Sequence, residues 1–482
     1  MKVCFFANFG KTLFYDAIGR VLRERGHEVV WMTPSARWNE RLLKGGGRRE
    51  HLLDLSTQMS WRDGKTLSAQ EEDHLAGLES RCDLSVNDMI TMDRALRLMP
   101  DGRARAYLAM VERESRSFFQ RTRPDVVLGE ATWGWELMAG AVARDLGIGQ
   151  FCFSSVRFPS ERVAFSNGYR DQRLFPVRPR LESDRSEAER LLDAFRARPV
   201  KPLYEASNAA LPTFRHHWLA EATALLSGAE KGNPQARSLF SRVASRGAML
   251  RNLIQQRLFP PFEGVPAAPR KPFALVLLHV QPESTIDAYG SAHMDQIDNV
   301  AMLARVLPAT HEIYVKEHPS AAGDRGGDYY RRLKSIPGVR LIQPRADTFS
   351  LIREAWLVMS VAGSACYEAG LLGVPAATLA PLFFSDLMIA PQVTPKSEGV
   401  RSLSDKVAAF NAVSAEVHRE RAVALIADVL RCSFPAIVSD PASNPACIDR
   451  ENLSNLADGI EGLHAMSPNG DGRVADMAAG WR

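Results

Sequence analysis

"ALVLLHVQPESTIDAYG", residues 274–290, decides how the chain is read. Its first half is apolar at both alternating positions, so a strand here is covered on both faces, as in a parallel sheet flanked by helices. His279 falls within that strand, a structural position. Pro282 has no N–H to give to a ladder and ends it. The chain then places Gln281, Glu283, Ser284 and Thr285 side by side. An open parallel sheet binds its ligands beyond the carboxyl ends of its strands, so these side chains can hydrogen-bond a ribose, a base or a sugar. A Ser/Thr helix cap beside a solvated Glu would leave the same pattern.

Working outward, strands and helices alternate with one period. "HMDQIDNVAMLARVL" reads as a helix, "HEIYVKEHP" as a strand, "DYYRRLKSI" as a helix and "VRLI" as a strand. "TFSLIREA", "WLVMSVA", "SACYEAGLLG" and "PAATLA" continue the rhythm. Such alternation predicts a doubly wound parallel sheet. The amino-terminal end repeats it: "KVCFFA", "KTLFYDAIGRVLRERG" and "HEVVWMT" form a βαβ unit, with Gly26 where a helix C-cap belongs. "PDVVLGE" (124–130) and "IGQFCFSS" supply further strands. "GKT" at 10–12 is not a P-loop, because that pattern needs glycine where Phe5 stands.

The fold expected is α/β, two Rossmann-like domains facing across a cleft, with helical insertions. Residues 1–175 form the first domain, with a helical insertion without strand signals at about 45–120. Residues 176–270 form a helical insertion and linker, 271–435 the second domain, and 436–482 a tail that frays at its end. A length of 482 residues suits two cores. With 45% hydrophobic and 24% charged residues the composition is that of a globular protein, and a net charge of +4 gives no reason to expect a nucleic-acid partner. Arginines cluster at 105–123, 157–180 and 237–257, compatible with solvated helix faces, anionic substrates or an anionic membrane surface. No apolar run approaches a bilayer span, and "VCFFANFG" is too short for a signal core. Membrane contact is therefore expected to be peripheral. Six cysteines without CxxC or CxxH spacing suggest neither zinc nor disulfides, and fit a reducing cytoplasm.

Four strand ends in the second half carry polar residues. Besides 281–285, "VKEHPS" delivers Lys316, Glu317 and His318 to a strand end that Pro319 terminates. A His there can donate to a phosphate or leaving group, or act as a general acid. In "SVAGSACYEAGLLG" the strand passes through Ala362-Gly363 into a helix whose first turn holds Ser364. A helix start with a glycine that lets a ligand approach suits a phosphate. Glu368 lies one turn on, within reach of a hydroxyl. In "RADTFS", Asp347 or Thr348 is a helix N-cap. In the first half, Glu130 ends the strand "VVLGE" and is the best placed acid, with Glu136 second. Arg157 follows "FCFSS" and can pair with a phosphate or an acidic acceptor.

The order QPE, KEHP, GSxxxEA at successive strand ends resembles the capsule polysaccharide biosynthesis proteins, which include Kdo transferases, GT-B glycosyltransferases of bacterial surface glycans. The HP dipeptide followed by a Ser-bearing turn is also similar to bacterial sialyltransferases that use CMP-sugars. The resemblance covers 273 to about 385, and more loosely "GEATWGWE" and "SSVRFPSERVAFSNG" upstream. It implies a nucleotide-sugar donor on the second domain, with Gln281, Ser284, Lys316, Pro319, Gly363, Ser364 and Glu368 around it. It also implies a glycan or glycolipid acceptor on the first domain, and a place in the cytoplasm or at the cytoplasmic face of the inner membrane. Glu130, His318 and Glu283 are the candidate catalytic residues, Glu130 as base or nucleophile. Relatives often have Asp where Glu283 stands. Without a DxD pattern no metal is expected, which agrees with a one-phosphate CMP donor, and no cofactor is implied. Two other readings compete: a UDP-sugar 2-epimerase, and a non-catalytic glycan-binding or export component.

Overall fold

The computed structural model describes residues 1–63, 66–82, 84–166, 172–200, 233–235, 239–266, 271–281, 283, 285–321, 323–389 and 399–466. Two sheets organise them. The first contains β1 (Lys2–Phe6), β2 (Glu28–Thr33), β3 (Leu52–Asp54), β4 (Val126–Gly129), β5 (Gly149–Val156), β6 (Arg162–Ser166) and β7 (Leu174–Phe175). Its helices are α1 (Lys11–Glu24), α2 (Ala36–Lys44), α3 (Ala69–Cys82), α4 (Val86–Met92), α5 (Asp101–Thr122) and α6 (Gly134–Asp145). After α7 (Ser183–Ala197) and α8 (Leu239–Leu258) the second sheet begins. It comprises β8 (Phe273–Leu277), β9 (Glu312–Lys316), β10 (Val339–Ile342), β11 (Leu357–Ser360) and β12 (Ala376–Thr378), with α9 (Gln296–Val306), α10 (Gly327–Lys334), α11 (Thr348–Glu354) and α12 (Ser364–Leu372) between them. The chain closes with α13 (Val400–Ala412), α14 (Ala415–Cys432), β13 (Ser433–Pro435) and α15 (Arg450–Met466).

The second sheet is parallel throughout, in the order β10-β9-β8-β11-β12. The first has the same doubly wound core, β3-β2-β1-β4-β5, extended past β5 by antiparallel β6 and β13. Both are α/β Rossmann-like units, as the alternation predicts. Strand order reverses between β1 and β4 in one sheet and between β8 and β11 in the other, the two places where such sheets open a crevice for a ligand. Strand interiors such as Val3–Phe6 and Phe273–Val276 are buried because helices cover both faces.

Three expectations need correction. The 45–120 stretch contains a strand, β3, whose three residues are too few for a periodicity signal. β8 stops at Leu277, so His279 stands beyond the ladder. The end of the expected second domain and the expected tail both return to the first sheet. β13 pairs with β6, and α15 buries Leu453, Leu456, Ala457, Ile460 and Leu463 in the core beneath β1 and α1. Gly459 lies so close to the Phe434 ring that a Cβ would overlap it, and Arg25 and His27 pair with Asp458 and Glu461. The helical spacing of those apolar residues outweighs the polar composition around them; residues 467–482 lie outside the described set. The expected linker region also contributes to the second sheet, because Glu263 adds a rung to the edge of β10.

The two units touch closely. Ala288 is buried in the first unit's core and Tyr289 packs against it. Arg94 pairs with Asp287 at 3.6 Å, and the Tyr367 hydroxyl of α12 donates to the Phe158 carbonyl at 3.0 Å.

Candidate active site

At the first sheet, β1, β4 and β5 deliver Lys11, Glu130 and Arg157 to the carboxyl edge. A Cβ at Gly129 would lie 2.7 Å from Phe6 Cβ, so glycine is what lets β4 end this close to β1. Glu130 follows it at the strand-order reversal and forms an ion pair with Lys11 Nζ, each side chain about 30% exposed. Glu136, the second-choice acid, is buried in the first turn of α6. Its Oε2 accepts from Thr132 N–H at 2.8 Å, Thr132 Oγ1 at 3.0 Å and Trp133 N–H at 3.2 Å. Burial, then the neighbouring Glu130 charge, raise its pKa to about 8 against those hydrogen bonds. It caps a helix.

Three residues without a sequence signal complete this rim. Phe9 has φ 49°, a left-handed conformation unusual for an aromatic residue, and is 42% exposed. Its ring lies 5.6 Å from Trp133, whose ring in turn lies 5.1 Å from the Arg94 guanidinium. The start of α1 is a different matter. Gly10 faces the carboxylate of Asp440, which a Cβ would overlap, so that helix end already has an anion beside it.

At the second sheet the strand-order reversal is bridged by His279. Its Nε2 accepts from Ala362 N–H at 3.2 Å and lies 2.9 Å from Ser360 Oγ. Burial first, then His318, Arg325 and Arg157, lower its pKa to about 3, so it stays neutral. Gln296 brackets the His279 backbone, accepting from its N–H at 2.7 Å and donating to its carbonyl at 3.1 Å. Arg325 donates to the same carbonyl and pairs with the buried Glu317, which also accepts from Tyr330 OH at 3.0 Å and His318 N–H at 2.6 Å.

These bonds sort the candidates. His318 is half-buried just past β9, and its Nδ1 accepts from Ser320 N–H at 3.1 Å, so the neutral ring carries its proton on Nε2. Gly363 starts α12 and Ser364 is half-buried in its first turn; no side chain caps the helix. A Cβ at Gly363 would overlap Ser360 Oγ, so the backbone must be bare. Arg157 is half-buried and acts electrostatically on His279 across the domains. The Glu283 carboxylate acts, as does Glu130, on the Tyr289 hydroxyl, whose pKa is raised first by burial. Glu368 is buried within reach of Cys366. Pro319 is exposed and begins a short 3-10 turn.

Two candidates have other partners than a ligand. Gln281 donates to the Met294 carbonyl at 3.0 Å and accepts from Gln296 at 2.8 Å. Lys316 is 3% exposed and donates to the Pro344 carbonyl at 2.8 Å. Ser284 lies outside the described residues. Asp347 accepts from Ser350 N–H at 3.0 Å and is the expected N-cap. Among the described residues no group of three or more His, Cys, Asp or Glu is disposed to hold a metal ion. A concavity of about 360 Å³ lined by Trp61, Arg62, Met99, Arg103, Asn233 and Pro234 includes none of the strand-end residues.

No family model matches the chain, and no curated protein matches it. Solved structures of similar layout include the UDP-GlcNAc 2-epimerase of Neisseria meningitidis bound to UDP-GlcNAc, 10% identical over 89% of this chain and 98% of that one, TM-score 0.23. Acinetobacter baumannii MurG is 12% identical over 88% and 94%, TM-score 0.27. A β-Kdo 2,4 transferase, KpsC of Thermosulfurimonas dismutans, is 13% identical over 71% and 88%, TM-score 0.32. Superposition this weak transfers no role, and the functional reading rests on this chain's own residues.

Proposed function

We propose that this chain is a GT-B-type glycosyltransferase that moves a sugar from a nucleotide-sugar donor to a glycan acceptor. The observation that carries the reading is the meeting of two strand-order reversals. A half-buried Lys11–Glu130 pair stands at one, an uncapped helix start with His318 Nε2–H stands at the other, and Arg157 acts between them. The donor phosphate fits the start of α12, where N–H groups, His318 and Arg157 offset its charge without a metal. His318 would donate a proton or hydrogen bond to the departing phosphate oxygen. Glu130, held by Lys11, would take the acceptor hydroxyl proton or attack the sugar carbon, and the exposed Phe9 face beside it suits the apolar side of an acceptor sugar ring. Glu283 would face the donor sugar.

The finer reading follows the motif order: a CMP-linked donor carrying Kdo or a related acidic sugar, a bacterial capsular or surface polysaccharide as acceptor, and a cytoplasmic site of action. Mixing the protein with CMP- and UDP-sugars while following nucleotide release and thermal unfolding tests it. A melting shift with CMP but not UDP is expected, since a ligand of the native state raises stability by mass action. No shift and no release with any sugar nucleotide would overturn the reading. A UDP-sugar 2-epimerase is the second reading, favoured by two neighbouring acids and a histidine that could serve one sugar. Product from UDP-GlcNAc alone, without acceptor, would select it.

A further inference from the structure

Among the described residues, α8 carries the densest run of exposed apolar side chains. Leu250, Ile254 and Leu258 are 59%, 52% and 67% exposed, and Phe259, just past the helix, is 76% exposed. Their spacing of four places the three helical residues on one stripe. At 100° per residue, exposed Arg246 and Arg257 fall along one border of that stripe and exposed Arg251 along the other. None of these arginines is in an ion pair among the described residues. The helix sequence contains four arginines and no acid.

The opposite face fixes the helix to the second domain. Asn252 donates to the Gly323 carbonyl at 3.0 Å and Gln256 to the Arg325 carbonyl at 2.9 Å. Met249 and Leu253 lie against Gly323. The stripe is therefore held outward by a docked helix.

We infer that this face is a docking surface for an anionic lipid bilayer, with α8 lying in the interfacial plane. Leucine and isoleucine side chains enter the acyl boundary while the bordering arginines meet headgroup phosphates, the arrangement of an interfacial helix. A second copy of the chain fits poorly, because a two-fold contact would set one arginine border against another with no acid on the helix to offset it. No described helix is long and apolar enough to cross a membrane, so the contact is with a surface. The inference does not depend on which sugar chemistry the strand ends perform.

The test is co-sedimentation of the full chain with vesicles of phosphatidylcholine alone or with about a quarter phosphatidylglycerol, at low and high salt. Binding at least about tenfold stronger to the anionic vesicles is expected, weakening in high salt. Ile254→Glu should abolish it. Each of Arg246→Glu, Arg251→Glu and Arg257→Glu should cost roughly fivefold or more. Because these side chains are exposed, melting temperatures should stay unchanged, and a Leu250→Ser, Leu258→Ser pair gives an uncharged second variant. No partition into anionic vesicles, or partition that Ile254→Glu leaves intact, would overturn the inference. So would a concentration-dependent dimer that the same change dissolves.

Discussion

The two sheets share one strand order and differ in how their carboxyl edges are finished. On the first, Lys11, Glu130 and Phe9 stand partly in solvent, and the charged pair has room to exchange partners. On the second, His279, Gln296, Arg325, Glu317 and Tyr330 form a buried network in which side-chain donors and acceptors meet one another. Under the proposed function the contrast separates two tasks. A reacting group needs freedom to change its partner and protonation, whereas a phosphate cradle made of backbone N–H groups needs its loop fixed beforehand.

Mutations at the two edges should therefore fail differently. Glu130→Gln should lower transfer by about 10²–10⁴-fold while changing unfolding free energy by less than about 1 kcal/mol, because its ion pair is partly exposed. Loss of stability without loss of turnover would reverse the assignment. Glu317→Ala should do the opposite, costing about 3–5 kcal/mol in denaturant titration because Arg325 is left buried without its carboxylate. Gly363→Ala forces a Cβ against Ser360 and should cost about 1–3 kcal/mol, with a smaller nucleotide-induced melting shift than the parent.

The sign of a pH effect tests the same contrast. His279 has a folded pKa lowered from 6.5 to about 3, so its contribution is complete above pH 6.5 and is lost as pH falls toward 3. The slope is about 1.4 kcal/mol per pH unit at most, and His279→Asn should flatten the acid limb of a stability–pH curve by that amount. Glu136 acts the other way. Its pKa, raised to about 8, makes stability fall as pH rises from 4.5 through 8. The smallest effect belongs to Phe9→Gly, which relieves a left-handed backbone by about 1 kcal/mol. It should raise the acceptor KM several-fold and leave the donor KM unchanged; equal changes in both would remove Phe9 from the acceptor side.

Much of this layout was legible before any coordinates. Pro319 marks the end of β9, whereas β8 stops at Leu277, well short of Pro282, which lies outside the described residues; the apolar run before each still places the following polar residues at a sheet edge. The helix start at Gly363-Ser364 and the Asp347 cap are equally local. What could not be read is non-local. Nothing near Gln281 says that Gln296 and the Met294 carbonyl engage its amide, nor near Lys316 that the Pro344 carbonyl takes its ammonium. Lys11 stands in "GKT". That motif is no P-loop, and the lysine meets Glu130 only because β1 and β4 are neighbours. His279 followed an apolar run without a break, so its place beyond the ladder depends on where β8 stops pairing.

The return of β13 and α15 to the first sheet has a consequence for how the protein is made. The strand that finishes the first sheet is synthesised after every strand of the second, about 270 residues behind its partner, since Arg162 bonds to Ser433. A growing chain therefore carries the Arg162–Ala164 part of β6, which β7 does not cover, as an open edge until β13 emerges, and the second unit must fold as a long excursion from an unfinished first one. Such an edge is a site for wrong pairing, so synthesis halted near residue 430 should give a product prone to aggregate although both Rossmann cores are present.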